Sequence, residues 1–214
     1  MKTINFMGPR KIWFGISLAL LAVGLIFLII NGGLNLGMDF VGGSSIHATI
    51  GKTFEVSEIR EIMEKYDPEA TITHAGQNKD QVIVRTKLSF DNEKRAEIIK
   101  AFSDKYSIES KNISFETIGP TVGKELAMQS LIAVMLAFAG IMIYVSFRFE
   151  WRFGLASLSA LIHDTAMMVA AYAVFQIPVN STFIAALLTI IGYSINDTIV
   201  IFDKIRENLK NEHS

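Results

Sequence analysis

The sequence predicts an α-helical membrane protein that carries an external α+β domain of ferredoxin-like βαββαβ order. Three observations lead there. Four apolar runs each approach the ~20 residues needed to cross ~30 Å of hydrocarbon. The stretch between the first two, residues 44–118, turns polar and shows strand and helix periodicities in alternation. The last run, Phe183 to Phe202, contains Asp197. A carboxylate in a span costs roughly 2.5–3.5 kcal/mol on insertion scales, so it usually faces a partner or a water-filled path.

Composition agrees. Half of the 214 residues are hydrophobic and 19% are charged, as in a membrane protein with an appreciable soluble part. The net charge of −1 points to no class of partner. The chain has no cysteine, which removes disulfides, thiolate metal sites and cysteine nucleophiles. Charges of the polar region are mixed without a basic stripe, so no nucleic-acid partner is expected.

The elements follow in order. Residues 1–11 form an N-terminal segment containing Lys2, Arg10 and Lys11. The first span, 12–30, reads as an uncleaved anchor: it is long for a signal core, and no small-x-small site follows at Asn31-Gly32-Gly33-Leu34. Residues 31–125 hold the external domain and its linkers. The remaining spans are 126–147, 153–177 and 183–202, and 203–214 is a polar tail. Residues 148–152 and 178–182 are short connections, so neighbouring spans should form antiparallel hairpins. Arg148, Arg152, Lys204, Arg206 and Lys210 fall on the same side as the N-terminal basic residues, whereas 178–182 carries no charge. Both termini should therefore be cytoplasmic and the polar domain outside. Gly140, Gly154 and Gly192 read as small residues that let helices approach.

Within the external domain, 44–50 and 81–88 alternate like strands, and 71–74 and 112–118 are shorter strand candidates. Residues 56–66 have helical spacing. So do 91–106, with Asp91 as N-cap and Ala96, Ile99 and Phe102 inward. This order is the split βαβ motif, with both helices on one face of the sheet. His47 and His74 show no metal-ligand spacing and read as ordinary strand residues. The fold alone names no function, although a sheet edge or groove suits an extended chain.

Two glycine-rich segments flank the domain. GMDFVGG places Gly37, Asp39, Phe40, Gly42 and Gly43 in a tight lead-in turn to the first strand. IGPTVGKEL places Gly119 and Pro120 where the last strand must break, with Gly123 just before Lys124-Glu125 at the membrane surface. Read alone, both are hinges or rigid links. Together with ALIHD at 160–164 and IGYSINDTIVIFDKIREN at 191–208, they resemble the SecD/SecF family of protein-export membrane subunits, within the resistance-nodulation-division superfamily. The resemblance covers essentially the whole chain. It implies an accessory subunit in a bacterial inner membrane, working with SecD beside the SecYEG channel on an unfolded exported polypeptide. It implies use of a proton or sodium gradient at late stages of export, without cofactor, metal or enzymatic reaction. Members of this type usually have six spans. Two further spans, one with an arginine facing the ion path, are expected in a complete member, and four spans alone are not expected to move ions unaided.

The resemblance also implies that Asp197 is the family's membrane aspartate, assigned to proton relay. A carboxylate in low dielectric titrates closer to working pH than one in water, which suits a group that binds and releases a proton each cycle. At ~1.5 Å per residue, Asp164 lies ~16 Å into its span and Asp197 ~21 Å into its own, so a stepped path needs the two helices face to face. His163 adjoins Asp164. Asn196 and Ser194 add hydrogen-bonding capacity, and Ser194 shares a face with Asp197 at i−3. A His163–Asp164 pair that merely glues helices is the bland alternative. Among functions, a small-molecule or lipid exporter and a non-transporting scaffold compete with export coupling. A hydrolase ranks last, because His163-Asp164 has no evident nucleophile.

Overall fold

The computed structural model describes residues 8–212, without the side chains of Lys210 and Glu212. Lys2 therefore lies outside the described residues. The chain divides into two units, residues 36–129 and the helical remainder.

The first of these is built on a four-stranded antiparallel sheet. Its strands are β1 (Gly43–Thr49), β2 (Thr71–Ala75), β3 (Gln81–Thr86) and β4 (Ile113–Ile118), in spatial order β2-β3-β1-β4. Ile46 stands opposite both Val84 and Phe115, so alternate residues of three strands share one face. On that face Ile46, Ala48, Val82 and Val84 are buried against two helices, α3 (Val56–Glu64) and α4 (Asn92–Tyr106). Ile59 and Met63 come from α3, and Ile98 and Phe102 from α4. This is the expected ferredoxin-like arrangement.

Asp91 caps α4, its carboxylate accepting from the Lys94 N–H at 2.9 Å. The inward stripe of α4 differs from the expected one. Ile98, Phe102 and Tyr106 are buried, Ile99 is half-buried and Ala96 is exposed. A fourfold repeat running through the tyrosine sets the phase.

That tyrosine also ties the helices. Its hydroxyl donates to Glu58 at 2.8 Å, while Lys105 donates to Glu61 at 2.7 Å. The bond and charge of Lys105 hold the Glu61 carboxyl below its ordinary range. Burial, then the Glu58 bond, pushes the Tyr106 phenol above its ordinary value of 10.0. Unfolded tyrosine ionises near 10, so this contribution to stability is intact below that pH and falls as pH rises further. A Tyr106→Phe variant should therefore show a shallower loss of stability between pH 10 and 11.5. Chemical denaturation at each pH measures it, and equal slopes would contradict the bond.

The two motif segments meet inside this unit. A one-turn helix, α2 (Met38–Val41), buries Met38 and Phe40. Gly42 follows at φ 89°, against the Ile118 carbonyl and Pro120. Gly43, at φ 149°, lies on the Thr86 carbonyl. Gly123 packs on the carbonyl of Phe40 and the nitrogen of Gly42. Pro120 breaks the strand and also opens a helix: α5 runs Pro120–Arg148, so residues 120–125 are helical rather than linker.

In the other unit, α1 (Arg10–Ile30), α6 (Trp151–Phe175) and α7 (Ser181–Glu212) pack in sequence, α6 in the middle. With α5 they make four helices long and apolar enough to cross a membrane. The α1 seam on α6 is Ser17, Leu21, Gly24 and Leu28, spaced by four, three and four residues. Ser17 meets His163, Gly24 meets Ala170, and Asn31 donates to the Ala173 carbonyl, so α1 and α6 run parallel. Beyond the helix ends, Asn35 donates to the Gln176 carbonyl and accepts from the Val179 N–H. Helix α7 runs antiparallel to α6: Phe183 lies against Tyr172, and Phe202 lies against Phe153. One end of the unit thus gathers Arg10, Lys11, Arg152 and the Lys204–Arg206 stretch. Gly154 lies against Ser146 of α5, whereas Gly140 and Gly192 face open space and bring no helix closer.

Candidate functional site

The packing of α1, α6 and α7 brings polar side chains together within otherwise apolar helices. Asp164 accepts from the Ser194 hydroxyl at 2.6 Å through one carboxylate oxygen. Its other oxygen lies 3.1 Å from Nδ1 of His163. The opposite ring nitrogen, Nε2, is hydrogen-bonded to Ser17 of α1. The result is a continuous chain, Ser17–His163–Asp164–Ser194, across three helices.

With Asp164 taken as the carboxylate and the His163 ring as neutral, each proton can be assigned. An ionised carboxylate only accepts, so Nδ1 donates to Asp164. A neutral ring then offers Nε2 as acceptor, and the Ser17 hydroxyl donates to it. Ser194 donates to Asp164, while its backbone carbonyl accepts from Thr198 at 2.9 Å. Hydroxyls and imidazoles both donate and accept, so such a chain can pass a proton by exchanging roles.

Asp197 stands one turn from Ser194 on α7, ~4.5 Å along the axis. It is exposed, as is Asn196, and it has no hydrogen bond or ion pair among the described residues. Asp164, His163 and Ser194 are thus brought into one cluster. Asp197 and Asn196 are not part of its bonds and lie on the open flank of the same helix. The other motif residues, Gly37, Asp39, Phe40, Gly42, Gly43, Gly119, Pro120 and Gly123, belong to the 36–129 unit and form its backbone junction. Among the described residues no group of acidic or histidine side chains could hold a metal.

Ser17 was invisible in the sequence, where it is a single hydroxyl within an apolar run. With His163 and Asp164 it reproduces the bond order of a Ser-His-Asp triad. The surroundings do not suit acyl transfer. Ser17 and His163 lie inside helices whose backbone N–H groups are spent on i−4 carbonyls, leaving no donor pair for an oxyanion.

These features define a polytopic membrane protein with a ferredoxin-like domain after its first span and a titratable cluster between its helices. Residues 97–214, more than half of the chain, match the family model described as protein export membrane protein SecD/SecF, C-terminal. The chain belongs to the SecD/SecF family. It is 41% identical over 200 residues to a Helicobacter pylori protein translocase subunit SecF, covering 90% of this chain and 59% of that one. It is 39% identical to the protein translocase subunit SecDF of Bacillus subtilis, covering 96% of this chain and 28% of the relative. The crystal structure of SecDF from Thermus thermophilus superposes with a TM-score of 0.78 at 35% identity, over 98% of this chain and 28% of that one. The chain thus spans about six-tenths of the Helicobacter relative and a smaller share of the fused ones.

Proposed function

We propose that this chain is a non-enzymatic subunit of bacterial protein export that couples an ion gradient to late translocation. In this reading it acts with SecD beside the SecYEG channel, on an unfolded polypeptide. Asp197, Asp164 and His163 carry the proton, and Ser194 and Asn196 assist. One observation carries the reading: a partnerless carboxylate, Asp197, sits one turn along α7 from Ser194, the residue that donates to the His163-bonded carboxylate of Asp164 on α6. A purely adhesive polar pair would not need the second, exposed aspartate. The open flank of α7 suits completion by further membrane segments, and the relative named SecDF supports SecD as their source. Clustering of basic residues at one end of the helices supports cytoplasmic termini and an external 36–129 unit in the inner membrane.

In energised membrane vesicles, Asp197→Asn should leave insertion and complex assembly intact and abolish gradient-dependent stimulation of export. Asp164→Asn should give a partial defect at normal protein level. Full stimulation with well-expressed Asp197→Asn would sink the relay and leave a scaffold role. Repeating the assay with proton-only and sodium-only gradients identifies the coupling ion.

A further inference from the structure

The α1 seam contains one side chain whose chemistry packing does not require. Between Lys11 and Asn31, Ser17 is the only polar residue of that helix, and it bonds His163 Nε2. The close approach of α1 to α6 is set elsewhere, at Gly24 on Ala170, seven residues or ~10.5 Å further along. A serine is therefore not needed to bring the helices together.

We propose that Ser17 is a positioning residue for His163, holding the imidazole as the Nδ1–H tautomer with that N–H directed at Asp164. The proposal rests on the relay reading above and adds a residue from the first span to it. The argument is one of satisfied valences. With Ser17 in place, both ring nitrogens and both Asp164 oxygens have a partner. Without it, Nε2 has no partner among the described residues, and the ring, 44% exposed, is not held by packing alone. The ring gains by turning, since either nitrogen can then be presented to Asp164. A relay that needs one proton on one atom loses its directed geometry. When a proton reaches Nε2, the same hydroxyl can reverse and accept, so Ser17 serves both charge states without moving a helix.

The test uses the full chain in its native membrane complex. Gradient-stimulated export is read in energised vesicles and normalised to chain level. Ser17→Ala should cut stimulation roughly tenfold, the lower end for losing a residue that orients a working histidine. Ser17→Thr and Ser17→Val have nearly the same volume and differ in the hydroxyl, so Thr should restore stimulation to within about twofold and Val should not. In a His163→Gln background, Ser17→Ala should cause no further loss, because the two residues act through one contact. Undiminished stimulation in Ser17→Ala, equal behaviour of Thr and Val, or independent multiplying losses would each overturn the positioning role. If Asp164→Asn and Asp197→Asn lose stimulation while Ser17→Ala keeps it, the positioning role alone fails. If those aspartate variants keep it, the relay reading fails.

Discussion

Gly24→Ala is expected to force α1 away from α6 and to break the polar cluster without touching it. The added Cβ would lie 2.2 Å from the Ala170 Cβ and 2.7 Å from its Cα. The second contact is with backbone, so no rotamer change relieves it. Overpacking of this kind costs ~1–3 kcal/mol, and contact with a helix backbone belongs at the top of that range. The Ser17–His163 bond depends on the same approach and should be lost with it. Melting of the purified chain in detergent should drop clearly, and gradient-stimulated export should fall with it. Adding Ala170→Gly removes the Cβ clash but leaves the Cα one, so the double variant should recover only in part. A Gly24→Ala protein as stable as the parent would mean the helices do not meet there.

Gly43→Ala is expected to be the most damaging single methyl in the 36–129 unit. Its Cβ would lie 2.1 Å from the Thr86 carbonyl oxygen and 2.9 Å from the Lys87 Cα, at a φ of 149° that L-residues rarely adopt. Relief means separating β1 from β3, the two central strands, at the Ser44–Thr86 end of their ladder. We expect a loss above ~4 kcal/mol, the range reached only by such backbone and core failures. Gly119 is the matched control. It belongs to the neighbouring motif, yet its Cβ would meet nothing within 4 Å. Gly119→Ala should stay within ~0.5 kcal/mol. Denaturant unfolding of the two variants, followed by tryptophan-independent circular dichroism, separates the cases, and similar midpoints would refute the contrast.

The 36–129 unit was the more legible half. Strands alternate and helices repeat because one side of each element faces water, so period and phase leave a trace. The trace blurs where both sides carry similar residues. In α4 the exposed Ala96 resembles an inward residue, and the stripe through Ile98 and Tyr106 had to be seen to be chosen. Pro120 was readable as a stop but not as a start, since the same ring ends a strand and opens a helix.

The membrane helices hid more. Lipid is as apolar as leucine, so a seam against another helix leaves no hydrophobic period. The run Ser17, Leu21, Gly24, Leu28 looks like any other selection from α1 until α6 is set beside it. His163, Asp164, Ser194 and Asp197 stood out because polar atoms are conspicuous there. Which of them touch depended on helix pairing: Ser194 reaches Asp164, and Asp197 does not take part.

The Ser17–His163 bond joins residues 146 positions apart. During synthesis the first span reaches the bilayer long before its partner exists. At ~5–20 residues per second, roughly seven to thirty seconds pass before His163 is made. Through that interval the Ser17 hydroxyl can turn back to a carbonyl of its own helix, as serines in apolar helices do. The first span is thus able to wait in lipid as a self-sufficient rod, and it exchanges that internal bond for His163 when the third span arrives.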